Sequence, residues 1–113
     1  MTDKRVLELI EKRSQGRCEV CGAYCEGEYD PHHRKLRSRG GLDEASNLLY
    51  ICHKCHRKIH ENPEWASERG YMVSSWSVPA DIPFLHWAHG ITYIGNEGGS
   101  TTLYFHADLE PTL

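Results

Sequence analysis

The stretch YICHKCHRKIH, residues 50–60, places two cysteines and three histidines in eleven positions, and all five are metal ligands by type. Cys52 and Cys55 are spaced Cys-x-x-Cys, as are Cys18 and Cys21, with thirty residues between Cys21 and Cys52. Structural zinc is four-coordinate, and two such knuckles brought together from distant parts of a chain complete its tetrahedron. Cys18, Cys21, Cys52 and Cys55 are therefore the expected structural zinc site. A finger made from Cys52, Cys55, His56 and His60 alone fails on geometry. Cys55 and His56 are adjacent, whereas such a finger needs about twelve residues between its cysteine and histidine pairs. Cys25 is left over and reads as a free thiol, with replacement of Cys21 in the first knuckle as the alternative.

Four cysteines on one ion release the histidines for other chemistry. On a helix, residues four apart share a face, so His56 and His60 point the same way, and His53 and Lys54 are expected to point elsewhere. Two imidazoles on one face make half a metal site. Asp30-Pro31-His32-His33 offers the rest at the end of a strand, where neighbouring side chains face opposite sides. Only one of His32 and His33 then turns toward a given ion, and the other is free to take protons.

The elements that position these groups can be read from pattern. Thr2 or Asp3 caps a helix whose apolar face is Val6, Leu9 and Ile10, and Gly16 stops it. Arg17 to Gly22 forms the first knuckle, and a short strand falls somewhere from Tyr24 to His33. Arg37 to Glu44 is an exposed glycine-rich loop. Asn47 to Ile51 has strand character, a helix runs from His53 to about Asn62, and Pro63 opens another to Arg69. After Gly70 the texture becomes that of a small β appendage. It contains Tyr71–Trp76, Ile82–Trp87, and a hairpin of Ile91–Ile94 and Thr101–Phe105 turned by Gly95 to Ser100. The expected organisation is α+β, with residues 1–70 as the site-bearing domain and 71–113 as a β-rich extension packed on it.

At 113 residues and 39% hydrophobic, the chain suits one modest core, of the size that often needs a metal staple. No apolar run approaches the roughly 18 residues of a membrane span, and the start lacks a secretory signal, so a soluble cytoplasmic protein is expected. Five cysteines in a reducing compartment favour metal over disulfides. The net charge of −3 hides an asymmetry: residues 1–60 hold 12 Lys/Arg against 9 Asp/Glu, and residues 61–113 hold 1 against 7. Basic residues gather as Lys12, Arg13, Arg17, then Arg34, Lys35, Arg37, Arg39, then Lys54, Arg57, Lys58, a distribution suited to a phosphate backbone of DNA or RNA.

His32-His33-Arg34, Gly40-Gly41, Ser46-Asn47-Leu48 and Cys52-x-x-Cys55-His56-x-x-x-His60, in that order, resemble the HNH endonucleases, particularly small cysteine-knuckle forms found in bacteriophage genomes. The resemblance covers about residues 17–62 and implies the ββα-metal, treble-clef-like fold, with a phage or prophage origin. It implies hydrolysis of DNA phosphodiesters to 5′-phosphate and 3′-hydroxyl ends, with His33 as general base. Asn47 joins His33 in the catalytic set by bridging the loop backbone that fixes the base. His32, His56 and His60 would hold one catalytic divalent cation, Zn2+, Ni2+, Mn2+ or Mg2+, and Arg34, Lys35, Arg37 and Arg39 would contact DNA phosphates, with Arg34 closest to the chemistry.

The principal alternative is a non-catalytic zinc-binding module for DNA or a protein partner. It needs the four cysteines but has no use for His32, His33, Asn47, His56 and His60 at these intervals. An RNA-directed nuclease or a phage packaging accessory would keep the same site. Cutting both strands would need two encounters or a homodimer. Trp65, Trp76 and Trp87 read as core or subunit-contact residues ahead of base-stacking ones. His53, His86, His89, His106 and Asp30 receive no role.

Overall fold

The structure, a computed structural model, describes residues 3–97 and the backbone of residues 100–102. Asp3 caps helix α1 (Lys4–Ser14) by accepting the Arg5 N–H at 2.9 Å, and Gln15 ends it in the left-handed conformation. Thr2, the other cap considered, lies outside the described residues. Val6, Leu7 and Ile10 face the core, so Leu7 fills the place expected of Leu9.

The C-terminal end of α1 is pinned by a buried ion pair. Arg13 Nε and Nη2 each lie 2.8 Å from a Glu19 oxygen, with the two side chains 4% and 2% exposed. The same guanidinium donates to the carbonyls of Ala45 and Leu48, and Glu19 accepts the Tyr50 N–H. A desolvated pair is stable only when its remaining donors and acceptors are satisfied, as these are. The pair joins α1, the first cysteine turn and the segment from Leu48 to Tyr50. Arg13, assigned from sequence to a phosphate-facing cluster, is a structural residue.

Strand β1 (Asp30–His33) pairs antiparallel with β2 (Leu48–Ile51), placing His32 opposite Leu49 and His33 opposite Leu48. All four residues of β2 are buried, which accounts for an unbroken Leu-Leu-Tyr-Ile run in place of alternation. Between the strands, Arg37–Arg39 make one tight turn. Gly41 then passes so near Lys35 that a Cβ there would sit 1.7 Å from the Lys35 carbonyl oxygen, leaving room for glycine alone. Helix α2 (His53–Glu61) follows β2 directly and buries Cys55 and Ile59. Pro63 starts the short α3 (Pro63–Glu68).

After α3, residues 71–77 form no strand. β3 (Phe84–His86), β4 (Gly90–Ile94) and β5 (Ser100–Thr102) make an antiparallel meander. Gly98, Gly99 and Leu103–Phe105 of the expected hairpin, and His106, lie outside the described residues. This segment is stitched to the rest by hydrogen bonds from Leu85 N to Arg69 O, Val73 N to Arg34 O, and Ser46 N and Oγ to Asn96 Oδ1.

The centre of that seam is Arg34, which is wholly buried. Its five N–H groups go to the carbonyls of Gly70, Ser46, Pro79, Ile82 and Pro83. Burial pulls the guanidinium down to about 10, still charged at neutral pH. The assignment of Arg34 to a DNA phosphate is thus overturned: no donor is left to offer, and the side chain does not reach the surface. Its alternation partner is His32, also buried, so strand parity takes both inward.

Candidate active site and metal centre

Two ligand clusters emerge from this scaffold, one of sulfur and one of imidazole. Cys18, Cys21, Cys52 and Cys55 converge with their sulfurs within 4.8 Å of one another. Cys21 Sγ and Cys52 Sγ are 3.9 Å apart, against the roughly 3.8 Å edge of a tetrahedron built on zinc–sulfur bonds of about 2.3 Å. The first turn supports its sulfur with a Cys21 N–H directed at Cys18 Sγ, 3.4 Å away. The Cys55 thiol beside it drives Cys18 toward thiolate. This donor set can hold a structural metal. Cys25 stands apart, its thiol directed to the Ala23 carbonyl, and burial among the other sulfurs pushes it up to about 11, so it remains a thiol.

The second cluster joins His32 of β1 to His56 and His60 of α2, again with one ligand atom from each within 4.8 Å of the others. Hydrogen-bond partners assign the ring nitrogens. His32 Nε2 lies 2.7 Å from the Tyr71 carbonyl, which can only accept, so Nε2 carries the proton and Nδ1 bears the lone pair. Burial pushes this imidazole down to about 3 and keeps it in the neutral form that coordinates. His56 Nδ1 donates to Asp30 Oδ2 at 2.8 Å, which leaves its Nε2 free. That Nε2 is 3.0 Å from His60 Nε2, a spacing at which two lone pairs repel unless a proton or a cation lies between them. Burial also lowers His60. Three imidazole nitrogens this close together fit a divalent ion at about 2.0–2.1 Å from each.

Asp30 was given no role from sequence, yet its Oδ2 accepts from both His56 Nδ1 and His53 Nδ1. Burial works to raise this carboxyl, but the two imidazoles beside it hold it below its ordinary range. His53 was expected to point away from His56. Residues three apart also share a helical face, and both rings meet the one carboxylate. Asp30 lies two positions before His32, so strand alternation puts it on the α2-facing side.

His33 has a different environment. Its Nε2 lies 2.6 Å from Asp43 Oδ1, so this nitrogen carries the proton and Nδ1 is the basic atom. The His33 ring holds Asp43 well below the usual carboxylate range. Asp43 is positioned in turn by Asn47, which is buried and does not touch the cleft. The Asn47 side chain accepts the Lys35 N–H at 2.7 Å and donates to the Lys35 and Leu42 carbonyls at 3.0 Å each. Asn47 is therefore a positioning residue acting through the loop. Asp43 escaped the sequence reading; the clue was a carboxylate just after the Gly40-Gly41 reversal that folds the loop back toward β1.

A cleft of about 330 Å³ brings His32, His33, His56 and His60 to one opening, with Arg37 and Ser38 on its wall. Of the basic residues assigned to phosphate, Arg37 and Arg39 are exposed, Lys35 is half-buried with its ammonium on the Ser77 carbonyl, and Arg34 is interior. Among the described residues no helix is long and apolar enough to cross a membrane. No curated protein matches the chain. Residues 18–62, which contain both ligand clusters, His33, Asp43 and Asn47, match the family model described as HNH endonuclease.

Proposed function

We propose that the chain is a metal-dependent endonuclease that hydrolyses DNA phosphodiesters to 5′-phosphate and 3′-hydroxyl ends, on a ββα-metal core formed by β1, β2 and α2. The observation that carries this reading is a carboxylate-backed His33 opening into the same cleft as three converging imidazoles. Phosphodiester hydrolysis needs a base for water and charge neutralisation at the phosphate. His33 Nδ1, left unprotonated by the tautomer that Asp43 selects, takes a proton from water as the oxygen attacks phosphorus. The P–O3′ bond breaks, and the departing 3′ oxygen takes a proton from solvent. Asp43 stabilises the imidazolium that results. A divalent cation held by His32, His56 and His60 supplies, when bound, Lewis acidity toward the scissile phosphate and the leaving oxygen. Arg37 on the wall contributes a fixed positive charge, and zinc on the four cysteines keeps the knuckles folded.

The test is plasmid nicking with chelator and with individual divalent ions, using the unmodified chain and His33→Ala. Loss of the base lowers the rate by about 10²–10⁴-fold, while the fold and the thiolate-bound metal persist. Unchanged nicking by His33→Ala removes His33 as base. No nicking by the unmodified chain with any ion reassigns it to the non-catalytic zinc-binding modules.

A further inference from the structure

Trp76 is 94% exposed, an apolar ring left in water by a chain that buries much smaller groups. Large aromatics supply most of a small core, so a fully exposed one on a closed turn is open to a ligand. Trp76 stands in a turn closed by Ser77 N–H to Ser74 O at 3.1 Å and by the Ser74 and Ser77 hydroxyls at 3.1 Å. The turn is tied to the segment just after the proposed base: Val73 N–H donates to Arg34 O, and Lys35 Nζ to Ser77 O.

A second cleft, of about 400 Å³, lies beside this turn, with Arg39, Ser74 and Ser77 set among an apolar lining that includes Met72, Val73 and Ile82. The two clefts share one divider, since Leu36, Arg37 and Ser38 line the catalytic opening and Arg39 lines the second. Arg37 and Arg39 are exposed, and neither is paired with a carboxylate among the described residues. The guanidinium and hydroxyl groups at this cleft suit a phosphate, and the ring of Trp76, next in sequence to Ser77, suits a base face. A paired base within a duplex offers only its edges to a surface ring, because its neighbours cover both faces.

We propose that Trp76 is a stacking platform for an unpaired nucleobase, with Arg39 on an adjoining phosphate, so that the preferred substrate carries a single-stranded stretch beside the cleaved bond. This rests on the endonuclease reading and adds the substrate class to it.

Binding is read separately from cleavage, by fluorescence anisotropy with chain purified with its zinc and no second ion added. The probes are a labelled blunt duplex and the same duplex carrying a short single-stranded gap. Trp76→Ala loses about tenfold more affinity for the gapped probe than for the duplex, and Trp76→Phe restores most of it. Equal losses on the two probes, no loss on either, or no binding of either probe by the unmodified chain overturns the proposal. A dimer in sedimentation that Trp76→Ala dissolves also overturns it, because Trp76 is then a contact between copies. Failure of the nuclease reading appears elsewhere, as absence of nicking by the unmodified chain.

Discussion

The sulfur cluster and the imidazole cluster are built within the same stretch of chain, but one is closed and the other open. Four thiols converge, as many as a tetrahedral ion takes, and a backbone N–H directed at Cys18 supports the sulfur. Among the described residues the imidazole cluster stops at three nitrogens, faces a cleft, and has one carboxylate, Asp30, behind His56. Metal sites divide the same way: structural ones saturate their coordination with protein ligands, while catalytic ones leave a position for water or substrate. Coordination completeness, more than ligand affinity, is what separates holding a fold together from doing chemistry on it.

The largest expected effect comes from breaking the closed cluster. Cys52 joins the end of β2 to the start of α2, so Cys52→Ser removes one ligand and loosens the junction that aims His56 and His60. Metal binding in small domains of this kind contributes on the order of 10 kcal/mol to folding, comparable with the whole margin of a domain this size. Cys52→Ser should lose zinc and its cooperative melting transition together. A folded, zinc-free Cys52 variant would mean that the core stands without its metal.

The next largest tests whether the imidazole side depends on protein contacts in the way the sulfur side depends on metal. Tyr71, whose carbonyl fixes His32, belongs to the segment that Arg34 ties down through Gly70, Pro79, Ile82 and Pro83. Lysine has three N–H donors for five carbonyls, and each buried acceptor left alone costs about 1–3 kcal/mol. Arg34→Lys should therefore destabilise by roughly 2–6 kcal/mol in a urea melt, with zinc at the thiolates retained. A loss within about 0.5 kcal/mol, the range of ordinary surface changes, would mean that the seam is held elsewhere.

Legibility followed the range of the interaction. The cysteine spacing and the His56–His60 spacing are local, and so are the helix boundaries at Asp3 and Pro63; each could be read without tertiary structure. Arg34 could not be read from charge, because its five acceptors come from three separate segments that meet only in the fold. A run of basic residues shows sign and says nothing of side; parity with His32 was the available signal. Asp30 and Asp43 were missed for a related reason: a carboxylate's partner is settled by the register of β1 on β2 and by the loop that Asn47 folds. Trp76 misled in the opposite sense, since its type suggests core while its place in a serine turn puts it outside.

The smallest expected effect, and the one that discriminates best between the clusters, is at Asp30. Its Oδ2 fixes His56 with Nδ1 protonated and Nε2 directed at the shared point, a role no carboxylate plays for the sulfurs among the described residues. Carboxylate partners of coordinating imidazoles typically contribute 10–100-fold in metal affinity, by orienting the ring and raising its basicity. Asp30→Ala should weaken ion binding at the imidazoles by that factor and leave zinc at the thiolates unchanged. Asp30→Asn, which keeps an oxygen acceptor without the charge, should fall between. Cobalt titration resolves the two sites, because thiolate and imidazole ligands give the ion different absorption spectra. Equal weakening at both sites would show that Asp30 supports the fold as a whole, and the contrast between a self-contained sulfur cluster and a carboxylate-tuned imidazole cluster would dissolve.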